Sequence, residues 1–517
     1  MPIASSHAVA LVGIKGHVIE VQADLASGIP ALSITGLPDT ALYEARDRVK
    51  SAVVNSGVEW PNKRITLGLS PAALPKKGSG FDVALASALL AAADVVPRAS
   101  LAGLVLLGEL GLDGKVRGVP GVLPALHAAQ AEGWSRFVVP VANAREAQIL
   151  DDVDVIAVEH LTQVIALLRG RPVAAPPLPE PGAGGEPDRR DFSDVLGQAV
   201  GRIACEVAAA GGHNLLMSGP PGCGKTLLAE RLPALLPDLS REDALTVTAI
   251  HSVAGRLADD ASLILRPPYQ APHHGATAAS VVGGGAGLAK PGAASLAHRG
   301  ILFLDEAPEF QRVVLDALRQ PLESGEITIQ RVGGIASYPA RFSLVLAANP
   351  CPCAKPESRC TCRPAQRQTY LAKLSGPLLD RVDINVSLMA ITRREIESDS
   401  HAAETTAVIA ARVRDARLRA GRRFAGTPWR VNAEVPVTEL VKHWPLDREP
   451  QSLIGAAMDR GLLTARGFGR VQRLAWTLAD LMEHDRPLVS DAELALSLRL
   501  GDRWIPGGAA ALGLVPA

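Results

Sequence analysis

Gly219-Pro220-Pro221-Gly222-Cys223-Gly224-Lys225-Thr226 matches the pattern G-x-x-x-x-G-K-[ST] at every fixed position, and its flanks are those the pattern needs. Asn214-Leu215-Leu216-Met217 reads as the strand before it, and Thr226-Leu227-Leu228-Ala229-Glu230-Arg231-Leu232 as the helix after it. A strand that runs through a Gly-rich turn into a helix aims successive backbone N–H groups at one spot. The helix dipole adds positive potential there, so the spot holds a polyphosphate. Lys225 is expected to reach the β- and γ-phosphates and the Thr226 hydroxyl to ligate Mg²⁺. The bland alternative, a Gly-rich turn that matches by chance, is disfavoured by the flanking elements.

Further along, Ile301-Leu302-Phe303-Leu304-Asp305-Glu306 is a continuous apolar run ending in two carboxylates. Strands buried on both faces read this way, and acids at the carboxyl end of such a strand fall beside the phosphates. Asp305 is expected in the Mg²⁺ shell, and Glu306 is expected to orient the attacking water and take its proton. A surface acidic turn is the competing reading, and the phosphate loop weighs against it. A third strand, Phe342 to Ala347, ends in Ala348-Asn349-Pro350. Asn349 can hydrogen-bond the γ-phosphate or the water from there, although Asn-Pro alone is an ordinary turn signal.

Length and composition frame this module. The 517 residues suggest about three domains. Fifty-three basic and 53 acidic residues cancel, so no global field draws the chain to nucleic acid or membrane, and any such binding needs local patches. Aromatics make up only 3%, which fits α/β and helical domains packed with small aliphatic side chains. The longest apolar stretch, Ala84 to Val96, contains Ser87 and Asp94 and is too short to span a bilayer. No basic segment followed by an apolar core opens the chain, so a cytoplasmic protein without a membrane partner is expected. Six cysteines in such a chain argue against a disulfide framework.

Residues 171–190, rich in Pro and Gly without apolar periodicity, read as a linker. Before it, residues 1–170 alternate strand and helix signals. His17 to Ala23, Arg64 to Leu69, Leu104 to Gly108 and Arg136 to Val139 are strand-like. Thr40 to Ser56, N-capped by Asp39, and Val122 to Gln130 are helical, the first with Leu42, Ala45, Val49 and Val53 on one face. After it come an α/β unit over 191–390 and a helical segment over 391–517.

Several further marks occur in order: Gly211-Gly212-His213-Asn214, Pro272-His273-His274, Ser295-Leu296-Ala297-His298-Arg299-Gly300, Leu318-Arg319-Gln320-Pro321-Leu322-Glu323, Asn349-Pro350-Cys351-Pro352-Cys353 and Leu378-Leu379-Asp380-Arg381-Val382-Asp383. With the phosphate loop and Asp305-Glu306 they resemble the ComM/YifB family of magnesium-chelatase-like AAA+ ATPases over nearly the whole chain. The resemblance implies an α/β fold of three parts: an N-terminal Lon-protease-like α+β domain, an AAA+ phosphate-loop core and a C-terminal helical lid. It implies the sensor-1 role for Asn349 and, for Arg381, the arginine finger that reaches the neighbouring subunit's ATP in a ring, expected to be a hexamer. Without the resemblance, Arg381 reads as a helix-end salt bridge to Asp380 or Asp383. The sensor-2 arginine of the lid is expected at Arg466, with Arg470 and Arg473 as alternatives.

Cys351-x-Cys353-x6-Cys360-x-Cys362 offers four thiols that suit tetrahedral Zn²⁺. The C-x-C spacing is tighter than common zinc-ribbon pairs, and an unmetallated Cys-rich loop is the alternative. Residues 269–295, with His273, His274 and Gly283-Gly284-Gly285, and a hairpin from Glu326 to Arg341 turned by Gly333-Gly334, resemble the helix-2 insert and presensor-1 hairpin that face the pore in such rings. Arg331 near the hairpin tip is the candidate DNA contact, whereas the two histidines read as solvated loop residues. Arg412, Arg414, Arg417, Arg419, Arg422 and Arg423 crowd one helix, fit either for nucleic acid or for a solvated or subunit-facing surface. The N-terminal part, through Lys77-Gly78-Ser79-Gly80-Phe81-Asp82, resembles Lon, but Gly80 falls where the catalytic serine is expected and Gly121 to Ala125 supplies no lysine. No peptidase activity is expected.

The expected function is an ATP-hydrolysing ring motor, using ATP and Mg²⁺, that acts on single-stranded or branched DNA as a helicase or branch-migration enzyme in recombination or transformation. An ATP-dependent protein remodeller is the alternative. A chelatase motor subunit is a further one, disfavoured by the fused Lon-like domain and the Cys-rich segment.

Overall fold

The computed structural model describes residues 3–36, 40–76, 78–173, 190–257, 262–285, 289–331, 334–355, 359–393 and 403–501. Asp39, most of the 171–190 linker and Gly333 lie outside them. Among the described residues no helix is long and apolar enough to cross a membrane.

The N-terminal part is a seven-stranded mixed sheet in the order Ala31–Thr35, Arg64–Ser70, Lys15–Ala26, Ile3–Val12, Leu104–Leu106, Arg136–Pro140, Asp154–Val158. The helix Thr40–Asn55 buries Leu42, Ala45, Val49 and Val53, the face its spacing marks. The helix Asp82–Ala92 is buried at every residue. Its sequence therefore reads as apolar all round and shows no stripe.

A five-stranded, wholly parallel sheet forms the second part, in the order Tyr269–Gln270, Ile301–Leu304, Ser343–Ala348, Leu215–Ser218, Ile384–Ser387. All four residues of Ile301–Leu304 are buried, as expected of a strand covered on both faces. Three carboxyl ends deliver Gly219, Asp305 and Asn349 to one edge, the place where ligands bind in open α/β sheets.

The C-terminal helices Thr406–Arg423, Arg448–Asp459, Ala465–Leu481 and Val489–Leu500 form one apolar core with the helix Ala199–Gly211 and the strand Ile384–Ser387. They lie against the sheet's amino edge. Arg470 ion-pairs with Asp383, which precedes the last strand, and Arg299 of the core bonds Asp243 at 3.1 Å and Glu434 of the lid at 2.9 Å. The arginine-rich helix is tied inward: Arg412 to Glu206 at 2.6 Å, Arg417 to the Ala209 carbonyl at 2.9 Å, Arg419 to Glu483 at 2.6 Å, Arg423 to Asp480 at 2.6 Å. Four of the six arginines that fit a nucleic-acid face therefore have acceptors within the chain.

Asp383 is the keystone of this junction. Burial alone pushes its carboxyl up, but Arg470 and His213, the latter 3.5 Å away, hold it well below the usual carboxylate range. It also accepts the Asn214 backbone N–H at 3.0 Å. A depressed carboxylate stabilises the fold above its unfolded value and loses that contribution as pH falls through the folded one. Asp383→Asn leaves Arg470 without its counter-charge, so a loss of about 3–5 kcal/mol is expected at pH 7. The gap between variant and wild type in denaturation midpoint should narrow below about pH 4.

The N-terminal sheet rests on the second part. Ser252 of the core helix Arg241–Val253 bonds the buried Glu146, and Arg241 pairs with Asp151. Leu11 and Ile14 flank the hairpin tip between the first two strands and pack on the core's apolar cluster. Gly13 at that tip has φ +67°, and a Cβ there would lie 2.5 Å from the Ser337 carbonyl oxygen, so only glycine permits this approach.

Candidate active site

The loop after Leu215–Ser218 turns through Gly222 and Gly224, both left-handed at φ +79° and +88°, and enters the helix Lys225–Arg231. The Lys225 ammonium is buried and donates to the Gly219 carbonyl at 2.7 Å, the Pro220 carbonyl at 2.9 Å and Asn349 Oδ1 at 3.1 Å. Lysine and asparagine thus meet, although 124 residues separate them. The Thr226 hydroxyl donates to Asp305 Oδ2 at 2.8 Å, so the two expected Mg²⁺ ligands share one point at the loop. Asp305 Oδ1 accepts the Glu306 N–H at 2.8 Å. Pro221 and Cys223 complete the loop; Cys223 is buried with its Sγ 3.7 Å from Lys225 Nζ.

Glu306, next to Asp305, is a strained residue. Its φ of +49° and ψ of 45° are left-handed, unfavourable for a side chain with Cβ and characteristic of functional sites. Its carboxylate stays half-exposed and faces His274 Nδ1 at 3.6 Å. Sequence reasoning missed this contact. It arises from register: Gln270 pairs with Leu302 in parallel strands, and four residues further on His274 stands level with Glu306. A two-residue strand carries no periodic signal, so nothing in the sequence marks it. The His273 ring lies against His274 at a tilt of 35°, with ring centroids 4.0 Å apart.

The remaining expected residues divide by sheet edge. Arg381 is only 12% exposed in its side chain, paired with Glu323 and donating to the Pro377 carbonyl at 2.6 Å. Its own carbonyl accepts Asn214 Nδ2 at 2.8 Å, at the amino end of the phosphate-loop strand. Arg466 is exposed and 3.6 Å from Asp380. Arg470 holds Asp383, and burial lowers the Arg473 guanidinium from its usual value. With Arg381 they line a cleft of about 740 Å³. The four residues Leu215–Ser218 span about 13 Å between that cleft and Lys225 of the same chain. Arg466, expected to face the nucleotide, thus stands with Arg381 at this cleft, where the lid packs under the amino edge of the sheet. The ion pair that the sequence offers for Arg381, to Asp380 or Asp383, does not form: Arg381 pairs with Glu323, while Asp380 is met by Arg466 and Asp383 by Arg470.

Arg331 is exposed on the hairpin, whose strands Glu326–Arg331 and Gly334–Pro339 pair antiparallel up to Arg331↔Gly334. The insert lies against it: Tyr338 donates to the Ala289 carbonyl, and the Gly284 backbone comes close to the Arg331 guanidinium. In the N-terminal part, Ser79 Oγ donates to Glu109 and Lys76 Nζ to the Pro71 carbonyl; neither bond joins serine to lysine.

Cys351, Cys353, Cys360 and Cys362 bring their sulfurs within 4.8 Å of one another. Three of the distances are 3.2, 3.4 and 3.6 Å. Arg367 donates to Cys360 Sγ at 3.2 Å. The Cys362 amide, followed by the neighbouring thiols and Arg367, pulls the Cys360 thiol down to about 6. This donor set is compatible with a structural metal.

Comparison with known proteins follows the same three-part division. Residues 191–396 match the family described as magnesium chelatase, subunit ChlI; residues 21–143 match subunit ChlI of Mg-chelatase; residues 403–499 match the ChlI C-terminal family. An uncharacterized protein of Mycobacterium tuberculosis is 48% identical over 506 residues, 96% of this chain and 99% of that one. YifB of Escherichia coli is 39% identical over 98% of each chain. Competence protein ComM of Haemophilus influenzae is 37% identical over 93% of this chain and 94% of its own. A stretch covering 30% of the chain is similar to the Lon protease of Mycolicibacterium smegmatis, 30% identical over 168 residues, which are 21% of that protein.

Proposed function

The chain belongs to the ComM/YifB family of magnesium-chelatase-like AAA+ ATPases, and from that premise we propose that it is an ATP-hydrolysing ring motor acting on single-stranded or branched DNA. The observation that carries the ATPase part is the meeting of Lys225, Thr226, Asp305 and Asn349 at one sheet edge, with Glu306 next to Asp305. Loop amides and Lys225 bind the β- and γ-phosphates of the substrate. Thr226 and Asp305 would hold Mg²⁺, which would neutralise phosphate charge there. Glu306 takes the proton of the attacking water, and Asn349 orients the water against the γ-phosphate. Arg381 of one subunit stabilises charge at its neighbour's site, and Arg466, on the same cleft, acts with it in trans.

The DNA part is supported by the name of the Haemophilus relative, a competence protein, and by the exposed Arg331 on a hairpin braced by the insert. Contacts of that kind go to phosphates, so sequence preference is weak and salt dependence strong. The test is the ATPase rate without DNA and with single-stranded, duplex or four-way-junction DNA, using Lys225→Ala as the blank. Stimulation by the single-stranded or branched substrates is expected. A rate indifferent to every DNA but raised by unfolded polypeptide would replace this reading with protein remodelling, to which the contact of the Lon-like domain with the hairpin at Gly13 lends support.

A further inference from the structure

We propose that Cys351, Cys353, Cys360 and Cys362 bind one zinc ion, and that this knot holds Asn349 and Arg381 in the geometry hydrolysis needs, so that the metal governs turnover and not ATP binding. The metal site stands on its own geometry; the governing role rests on the ATPase reading above.

The sulfurs are too far apart to be bonded to one another. Their closest separation is 3.2 Å, against about 2.05 Å in a disulfide. They are close enough for a single ion, since four ligands at about 2.3 Å in a tetrahedron stand about 3.8 Å from each other. All-sulfur tetrahedral coordination selects zinc or iron. A polynuclear iron–sulfur cluster would spread its four ligands wider than this set allows. As each Zn–S bond forms, the thiol releases its proton to solvent, and the bound set carries net negative charge. Arg367, 3.2 Å from Cys360 Sγ, is placed to balance that charge in the manner of an outer-shell partner.

The segment has no other reason to hold its shape. Cys-Pro-Cys-Ala-Lys-Pro-Glu-Ser-Arg-Cys-Thr-Cys-Arg, residues 351–363, contains no α-helix or strand among its described residues, and of these only Cys351 is buried. A loop this long, whose only apolar side chains besides the cysteines are two prolines and an alanine, gains its order mainly from a cross-link.

Its place in the chain gives the knot a task. It begins two residues beyond Asn349 and ends at Arg363, the N-cap of the helix Pro364–Leu371. That helix lies beside the catalytic turn: Tyr370 is buried, and Lys373 pairs with Glu309 at 3.6 Å. Ser375 then accepts from Arg319 at 2.9 Å, and the turn Gly376–Leu379 leads directly to Arg381. One end of the knot thus fixes the sensor of the γ-phosphate, and the other fixes the segment carrying the subunit-bridging arginine. None of the four thiols belongs to the phosphate loop.

The experiment uses the full chain, purified without chelators, and the Cys360→Ser/Cys362→Ser double variant, whose positions are partly exposed. Elemental analysis should find about one zinc per wild-type chain and little iron. The double variant should lose the metal, bind a fluorescent ATP analogue within about twofold of wild type, and turn ATP over at least about tenfold more slowly. Wild-type chain with no metal and four freely titrating thiols would overturn the site, as would iron in place of zinc. Zinc present, but a metal-free variant with unchanged turnover, would overturn the governing role. Circular dichroism identifies a variant that fails to fold; removal of zinc from wild type by a zinc-selective chelator, followed by gel filtration and return of Mg²⁺, then decides the same two points. If wild type carries zinc but hydrolyses no ATP, the ATPase reading and the governing role fall together while the metal count still upholds the site.

Discussion

Glu306→Gln is expected to bind ATP as tightly as the parent chain and to turn it over about 10²–10⁴-fold more slowly. The amide keeps the size of the carboxylate but cannot accept a proton from water. The groups expected to bind phosphate, Lys225 and the loop amides, do not touch the Glu306 side chain. Its contact at 3.6 Å is with His274 Nδ1, which an amide oxygen can still face. The left-handed backbone at Glu306 costs Gln and Glu alike, so stability should not separate them. Equilibrium ATP binding and single-turnover hydrolysis, measured on one preparation, decide the matter. Turnover unchanged would remove Glu306 from the chemistry. Loss of binding together with turnover would make its role structural.

Arg381→Ala is expected to lower turnover by about 10³–10⁵-fold with ATP binding retained, and the loss should be rescued by a second inactive variant. A chain's Arg381 lies at the amino edge of its own sheet, about a strand's length from its own Lys225. Any phosphate it reaches belongs to another copy. Arg381→Ala supplies intact loops, and Lys225→Ala supplies intact arginines. Mixing the two should therefore restore a fraction of the rate that neither shows alone. The arginine is nearly sheltered and already bonded to Glu323 and the Pro377 carbonyl, so little side-chain freedom is lost when it engages. Absence of any gain on mixing, in subunits shown to exchange, would remove the trans role.

What the sequence made legible was what local chemistry fixes. The phosphate loop needs glycines at set positions, and a doubly covered strand needs an unbroken apolar run; Gly219 to Thr226 and Ile301 to Glu306 announce both. Asn349 was legible by its place after a third such strand. The strand Ile3–Val12 was not, because its serines and histidine break the apolar run, and its place in the sheet comes from long-range pairing. His274 was hidden for a related reason, since its meeting with Glu306 depends on the register of two strands about thirty residues apart. Among Arg466, Arg470 and Arg473 helical periodicity could not choose. Only the docking of the lid beneath the amino edge shows that Arg470 and Arg473 serve Asp383 while Arg466 is left at the rim.

That docking has a mechanical consequence. The lid shares one apolar core with the sheet and is fastened to it by Asp383, by Arg299 through Glu434, and by Arg430 through Asp243. A subunit fastened in so many places has few internal hinges. Closing around a nucleotide then displaces the block as a whole, and strain raised at one site passes outward instead of being absorbed within the subunit. In a ring of such blocks the joints would be the seams between copies, and the smallest part able to deliver a stroke would be a pair.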